Sequence, residues 1–160
     1  MTARIEYGRI SPAGISRMRD LENYVRQCGL ETSLLELVRL RASQVNGCAY
    51  CVDMHTKDAR AEGETEQRLY AVSVWEETPF FSERERAALA WTEAVTRVGQ
   101  SHVPDALYQS VRLHFAEKEL VDLTLAIIAI NGWNRLAVSF RAVPGSYVHD
   151  KAGTPAEVVS

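Results

Sequence analysis

The sequence predicts an all-α protein. Three observations carry that prediction. Apolar residues recur at three- and four-residue spacing through most of the chain, the repeat of a helix with one face in a core. No segment alternates apolar and polar residues with the period of two that a half-buried strand needs. Helix punctuation, in the form of cap residues, first-turn prolines and terminal glycines, falls between the periodic segments. The chain has 160 residues, 46% of them hydrophobic, which suits one domain with a full core. The expectation is a single domain over 1–160 with about six to seven helices, its core over about 10–142 and a C-terminal tail over 143–160.

The elements follow in order. Residues 1–10 are expected to be an extended arm. Ser11-Pro12 opens a helix, with Ser as N-cap and Pro at the first helical position. Ile15, Met18, Leu21 and Val25 line one face, and Gly29 closes it. A second helix starts at Thr32 or Ser33, buries Leu34, Leu37, Val38 and Leu40, and stops at Asn46-Gly47. A third runs from about Cys48 to Glu62, before Gly63. Thr65 opens a fourth, through Leu69, Val72 and Trp75. Ser82-x-x-Glu85 is a capping box for a fifth, which carries Ala88, Trp91 and Val95 and ends at Gly99. The charges from Glu83 to Arg86 are expected to be a solvated face. Pro104 opens a sixth, with His102 as a candidate cap and Leu107, Val111 and Phe115 inside.

The last helix spans about Lys118 to Arg141. Its middle, L-T-L-A-I-I-A-I-N-G-W, is apolar nearly all round, as in a central helix or one at a subunit interface. Asn131, Asn134 and Arg135 interrupt it, as buried hydrogen-bonding groups or an inter-subunit contact. Pro144-Gly145 ends it, and the small, polar tail is expected to lie loosely on the surface.

Charge and cysteine count narrow the function classes. A net charge of -3 gives no electrostatic basis for nucleic-acid binding. The N-terminal M-T-A-R-I-E-Y-G-R lacks the apolar run of a signal peptide. The uncharged stretch from Leu123 to Trp133 is shorter than the roughly 20 residues that span a bilayer. A soluble, cytoplasmic protein without a membrane partner is expected. Three cysteines make a poor disulfide scaffold. In a reducing compartment a C-x-x-C is more often catalytic or metal-binding than structural.

The chemistry concentrates between Glu36 and His55, in E-L-V-R-L-R-A-S-Q-V-N-G-C-A-Y-C-V-D-M-H. On a helix starting at Cys48, the i,i+3 spacing brings Cys48 and Cys51 within disulfide reach. His55, four residues beyond Cys51, extends the same stripe. The helix N-terminus favours a thiolate on Cys48; a neighbouring base favours one on Cys51. Weighting the base makes Cys51 the attacking thiolate and Cys48 the resolving thiol. A peroxide would then leave a sulfenic acid on Cys51, which Cys48 closes to a disulfide. An external dithiol reopens it. Glu36, about three turns before the Asn46-Gly47 turn, can pass near His55. Read from the residues alone, it more readily completes a capping box, Ser33-x-x-Glu36. Two other readings of the cysteines stand beside this one. Cys48, Cys51 and His55 could ligate zinc, with Cys28, His102 or His114 as a fourth ligand, or both cysteines could be inert core residues.

This stretch resembles the signature of the AhpD-like alkylhydroperoxidases, within the carboxymuconolactone decarboxylase superfamily. Glu36, Ser43, Asn46, Cys48, Tyr50, Cys51 and His55 stand at the family's spacing. F-S-E-R-E-R-A-A-L-A-W-T-E-A-V-T and E-L-V-D-L-T-L-A-I-I-A-I-N-G-W-N-R-L are similar to its later segments. The resemblance implies an all-helical fold assembled as trimers or hexamers, and thiol-dependent reduction of hydroperoxides without cofactor or metal. It implies Cys51 as the peroxide-reacting sulfur, Cys48 as its partner, and Glu36 and His55 as a proton relay. Some members carry a second histidine between the cysteines, where this chain has Tyr50, so the relay here would be shorter. Lactone decarboxylases of the superfamily generally lack the C-x-x-C. A decarboxylase-like enzyme, a zinc-binding module and a non-catalytic thiol sensor are the alternative functions.

Overall fold

The computed structural model describes residues 2–149. Among them are nine α-helices, one 3-10 helix and no strand. The helices are α1 (Tyr7–Ile10), α2 (Pro12–Arg26), α3 (Thr32–Val45), α4 (Ala49–Ala61), α5 (Glu66–Ala71), α6 (Glu83–Thr96), α7 (Val98–Ser101), α8 (Asp105–Arg112) and α9 (Glu117–Phe140). The all-α expectation holds, and all seven predicted helices are present.

The departures are local. The predicted arm contains the single turn α1, held where the Arg4 N–H donates to the Phe140 carbonyl and Tyr7 stacks on Phe140. The predicted fourth helix changes after Ala71 to a 3-10 helix, Val72–Glu77, broken at Val74. The fifth stops at Thr96, and Gly99 lies inside α7 instead of ending α6. Ser11 occupies the N-cap position of α2 without a side-chain capping bond. Pro104, not His102, is the N-cap of α8. The predicted loose tail is tied down as far as His149: the Gly145 N–H donates to Asp53 and the Tyr147 hydroxyl to Asp58. The rest of that tail lies outside the described residues.

α3 is the centre of the fold. It packs against α4, α6, α9 and the 3-10 helix. One core cluster joins α2, α3, α6, α8 and α9 around Val38, Phe115 and Leu123. A second joins α3, α4, α5 and the 3-10 helix around Leu37, Leu40 and Val72. A third, smaller cluster lies between α3, α4 and α9, and Cys48 and Cys51 belong to it. Because α3 is enclosed on nearly every side, Glu36, Arg39 and Ser43 are buried along with its leucines.

α9, 24 residues long, would pass as a membrane span by length and composition, although its uncharged middle alone is too short. In this fold it packs against α2, α3, α4, α6 and α8. It buries Asp122, Asn131 and Asn134 among its apolar residues. At Gly132 α9 meets α2 so closely that a Cβ would lie 2.6 Å from the end of Met18.

Candidate active site

The turn Asn46-Gly47, with Gly47 at a φ of 65°, folds α4 back along α3. That reversal brings the predicted groups together. The Cys48 and Cys51 sulfurs lie 2.6 Å apart, both as free thiols. A disulfide bond is about 2.05 Å long, so closing one requires only a small shift. Cys48 is the N-cap of α4, and its sulfur accepts from the Cys51 backbone N–H at 3.4 Å.

His55 Nδ1 lies 2.8 Å from Glu36 Oε2. The other oxygen of Glu36 accepts from Arg39 at 2.6 Å, and Arg39 donates from its second terminal nitrogen to Glu22 at 2.6 Å. The capping-box reading of Glu36 does not hold. α3 starts at Thr32 with Glu31 at its N-cap, so Ser33 lies inside the helix. Burial alone would push the Glu36 carboxyl up; the charges of His55 and Arg39 outweigh it and hold the pKa at about 2. An ionised Glu36 accepts, so His55 donates from Nδ1. Its Nε2 is buried and without a hydrogen-bond partner among the described residues.

The two sulfurs differ. Cys48 is held down to about 7, first by its hydrogen bond with the Cys51 thiol, against burial, and then through the Cys51 N–H, Asn134 and the charge of His55. Cys51 is raised, by the same bond to Cys48 and by burial. The negative charge of the reduced pair therefore rests on Cys48, as the helix-terminus argument had it, and the shared proton on Cys51. Access is the other way round. A cavity of about 90 Å³ is lined by Cys51, His55 and Tyr50, and Cys48 is not part of its wall.

A polar network holds this corner. Asn46 donates to Asn131 and Asn134, Asn134 donates to Ser43 at 3.1 Å, and Ser43 donates to the Arg39 carbonyl at 2.7 Å. Asn131 and Asn134 are thus buried hydrogen-bonding groups, and Arg135 donates to the Asn131 carbonyl and side-chain oxygens at 2.9 Å each. Sequence reasoning passed over Arg39 and Asp58. The signal for Arg39 was a charge three residues after Glu36 inside an otherwise leucine-rich helix.

The zinc set weighed from the sequence is not assembled. Among the described residues, the group close enough to hold a metal ion is Glu36, His55 and Asp58, within 4.8 Å, and it contains neither sulfur. Cys28 packs against the first core cluster, away from the thiol pair. Arg39 already takes Oε1 of Glu36, and Tyr147 and His149 take Oδ1 of Asp58.

An all-helical scaffold with a C-x-x-C at a helix start and a buried Glu–His pair behind it defines an AhpD-like protein. The family model of carboxymuconolactone decarboxylases matches residues 12–94, and the chain belongs to that family. The chain is 46% identical over 139 residues to the uncharacterized protein YdfG of Bacillus subtilis, covering 87% of this chain and 95% of the relative. It is 32% identical over 113 residues to YnjA of Escherichia coli, covering 71% and 59%. A solved structure from Agrobacterium tumefaciens, of unknown function and a candidate antioxidant defence protein AhpD, superposes with a TM-score of 0.88. It is 45% identical, over 91% of this chain and 100% of that one. The debrominase Bmp8 shares the fold, with a TM-score of 0.77 at 18% identity over 85% and 73%.

Proposed function

We propose that this protein is a thiol-dependent hydroperoxide reductase. The observation that carries the proposal is the pair of free sulfurs 2.6 Å apart, one of them in the wall of a cavity shared with His55. A hydroperoxide entering the cavity meets Cys51. As the pair ionises, one of its two protons passes to His55 Nε2; the other moves from Cys51 to Cys48, and the Cys51 thiolate attacks the terminal oxygen of the substrate. The O–O bond breaks, Cys51 becomes a sulfenic acid, and the alkoxide leaves as the alcohol after taking a proton from His55. The Cys48 sulfur, giving its proton to His55, then attacks the Cys51 sulfur. Hydroxide departs, takes that proton and leaves as water. Two thiols and one hydroperoxide have become a disulfide, an alcohol and water. Glu36 holds the imidazole in one orientation throughout, and an external dithiol restores the thiols. The family likeness and the Agrobacterium relative support this reading. A cytoplasmic homo-oligomer, trimeric or hexameric, acting without nucleic acid or membrane, belongs to the same proposal.

The test is thiol and mass counting around one equivalent of hydroperoxide. Native protein should lose two thiols and two hydrogens. Cys48→Ser should stop with one added oxygen on Cys51, and Cys51→Ser should consume no hydroperoxide. Full turnover by Cys51→Ser would sink the mechanism. A reaction that survives Cys→Ala at both 48 and 51 would point to decarboxylase-like chemistry through Glu36 and His55.

A further inference from the structure

The charges around the cavity are balanced by one another, with a single exception. Glu22 is held by Arg39 at 2.6 Å and by Arg26 at 3.5 Å. Asp58 accepts from Tyr147 and lies 2.8 Å from His149 Nδ1. Arg26 is spent on Glu22. Arg19 also lines the cavity and is half-buried, yet it has no ion pair or hydrogen bond among the described residues. Arg19, Asn23 and Arg26 recur at four- and three-residue spacing on α2, so they form one stripe along the cavity wall.

The wall nearer the thiol has a different character. Tyr50, Met54 and Trp133 supply aromatic and thioether surface. Cys51 is 2% exposed and Arg19 half-buried, and both line the cavity, which thus joins a buried thiol to a more accessible cation. Its volume of about 90 Å³ is below that of an engineered cavity of ~150 Å³ that accepts benzene. A compact apolar group fits; a long chain does not fit inside. A guanidinium without a partner, partly withdrawn from water, favours a planar anion that takes two parallel hydrogen bonds.

We infer that this site selects compact organic hydroperoxides carrying a carboxylate remote from the peroxy group, the carboxylate held by Arg19. The hydroperoxide half of that statement rests on the function proposed above; the anion half rests on Arg19. Asn23, one turn further along α2, supplies a neutral donor beside it. The apolar body lies against Tyr50, Met54 and Trp133, with the peroxy group at Cys51.

The test uses two unreactive probes of one shape, 3-methylbutanoate and 3-methylbutanamide, bound to the reduced protein and followed by tryptophan fluorescence, since Trp133 lines the cavity. The carboxylate should bind about tenfold more tightly than the amide. That ratio should fall toward one in Arg19→Gln and be partly kept in Arg19→Lys. Equal affinities in the native protein, no carboxylate binding at millimolar concentration, or an unchanged ratio in Arg19→Gln would each overturn the inference. No turnover is needed for this readout. A protein that prefers the carboxylate through Arg19 but consumes no hydroperoxide keeps the anion site and loses the peroxidase reading.

Discussion

Arg39 and Arg84 are each held between two glutamates, in different surroundings. Arg39 reaches Glu22 and Glu36 at 2.6 Å, with 2% of its side chain exposed. Arg84 reaches Glu31 at 3.1 Å and Glu119 at 2.8 Å, with 28% exposed. Arg84 also lies over the Phe115 ring at 4.1 Å and donates to the His114 carbonyl. Around Arg84, water can replace any lost partner, so the group acts as a fastening between α6 and its neighbours. Arg39 itself is buried, and each charge needs the next. Glu22, Arg39, Glu36 and His55 therefore behave as one unit. Identical chemistry is a brace at the rim and a fixed electrostatic frame beside the thiols.

The contrast can be broken first at Arg39. Arg39→Met leaves Glu36 buried with only His55, and should destabilise the protein by about 3–5 kcal/mol in urea unfolding. Adding Glu36→Gln should recover part of that loss, since the uncompensated charge goes with it. If Arg39→Met unfolds at the native urea concentration, the buried unit is not one.

Glu36→Gln alone should have a smaller effect, because Arg39 keeps Glu22. Its signature is the pH dependence. The folded-state pKa of Glu36 lies at about 2, below the ordinary value of 4.5. A depressed acid contributes stability that is present above the unfolded value and lost as pH falls through the folded one. Native protein should therefore lose stability between about pH 4.5 and pH 2 more steeply than Glu36→Gln. Parallel acid-unfolding curves would contradict the assignment. Arg84→Ala should have the smallest effect, about 1 kcal/mol, since its partners are half-solvated. A loss as large as that of Arg39→Met would erase the distinction between the two regions.

Two S-x-x-E patterns show what could be foreseen. Ser82-x-x-Glu85 forms the predicted capping box, with both reciprocal bonds present. Nothing buried competes for Glu85; Arg68, its ion-pair partner at 2.5 Å, is compatible with the cap. Ser33-x-x-Glu36 has the same local pattern and forms no box, because Arg39 and His55 claim the carboxylate from inside the fold. Local signals were legible where only neighbours in sequence decide. The stops at Gly47 and Gly63, the proline at the start of α2 and the cysteine spacing are of that kind, whereas Gly99 lies inside α7. The turns at Tyr7 and Val98 were not foreseen, since four residues carry no periodicity and α1 is held by Phe140, far along the chain. The solvated face predicted for Glu83 to Arg86 is half-buried from Arg84 onward, with Arg84 and Arg86 stacked on Phe115 and Trp75. The nearness of Glu36, Cys48, Cys51 and His55 was legible; Arg39 and Asp58 were not, because their meaning depends on what encloses α3 and α4.

Cys48 has a second duty as the residue whose sulfur accepts the Cys51 amide hydrogen at the start of α4. A helix usually closes its first turn with a hydroxyl or carboxylate that no reaction touches. Here the closing atom is one whose charge changes with protonation, alkylation or disulfide formation. The chemical history of one sulfur is thereby written into the tightness of the first turn of α4, the turn that carries Tyr50 and Cys51 to the cavity. A change at the Cys48 sulfur is thus a change in a hydrogen bond of the turn that borders the cavity.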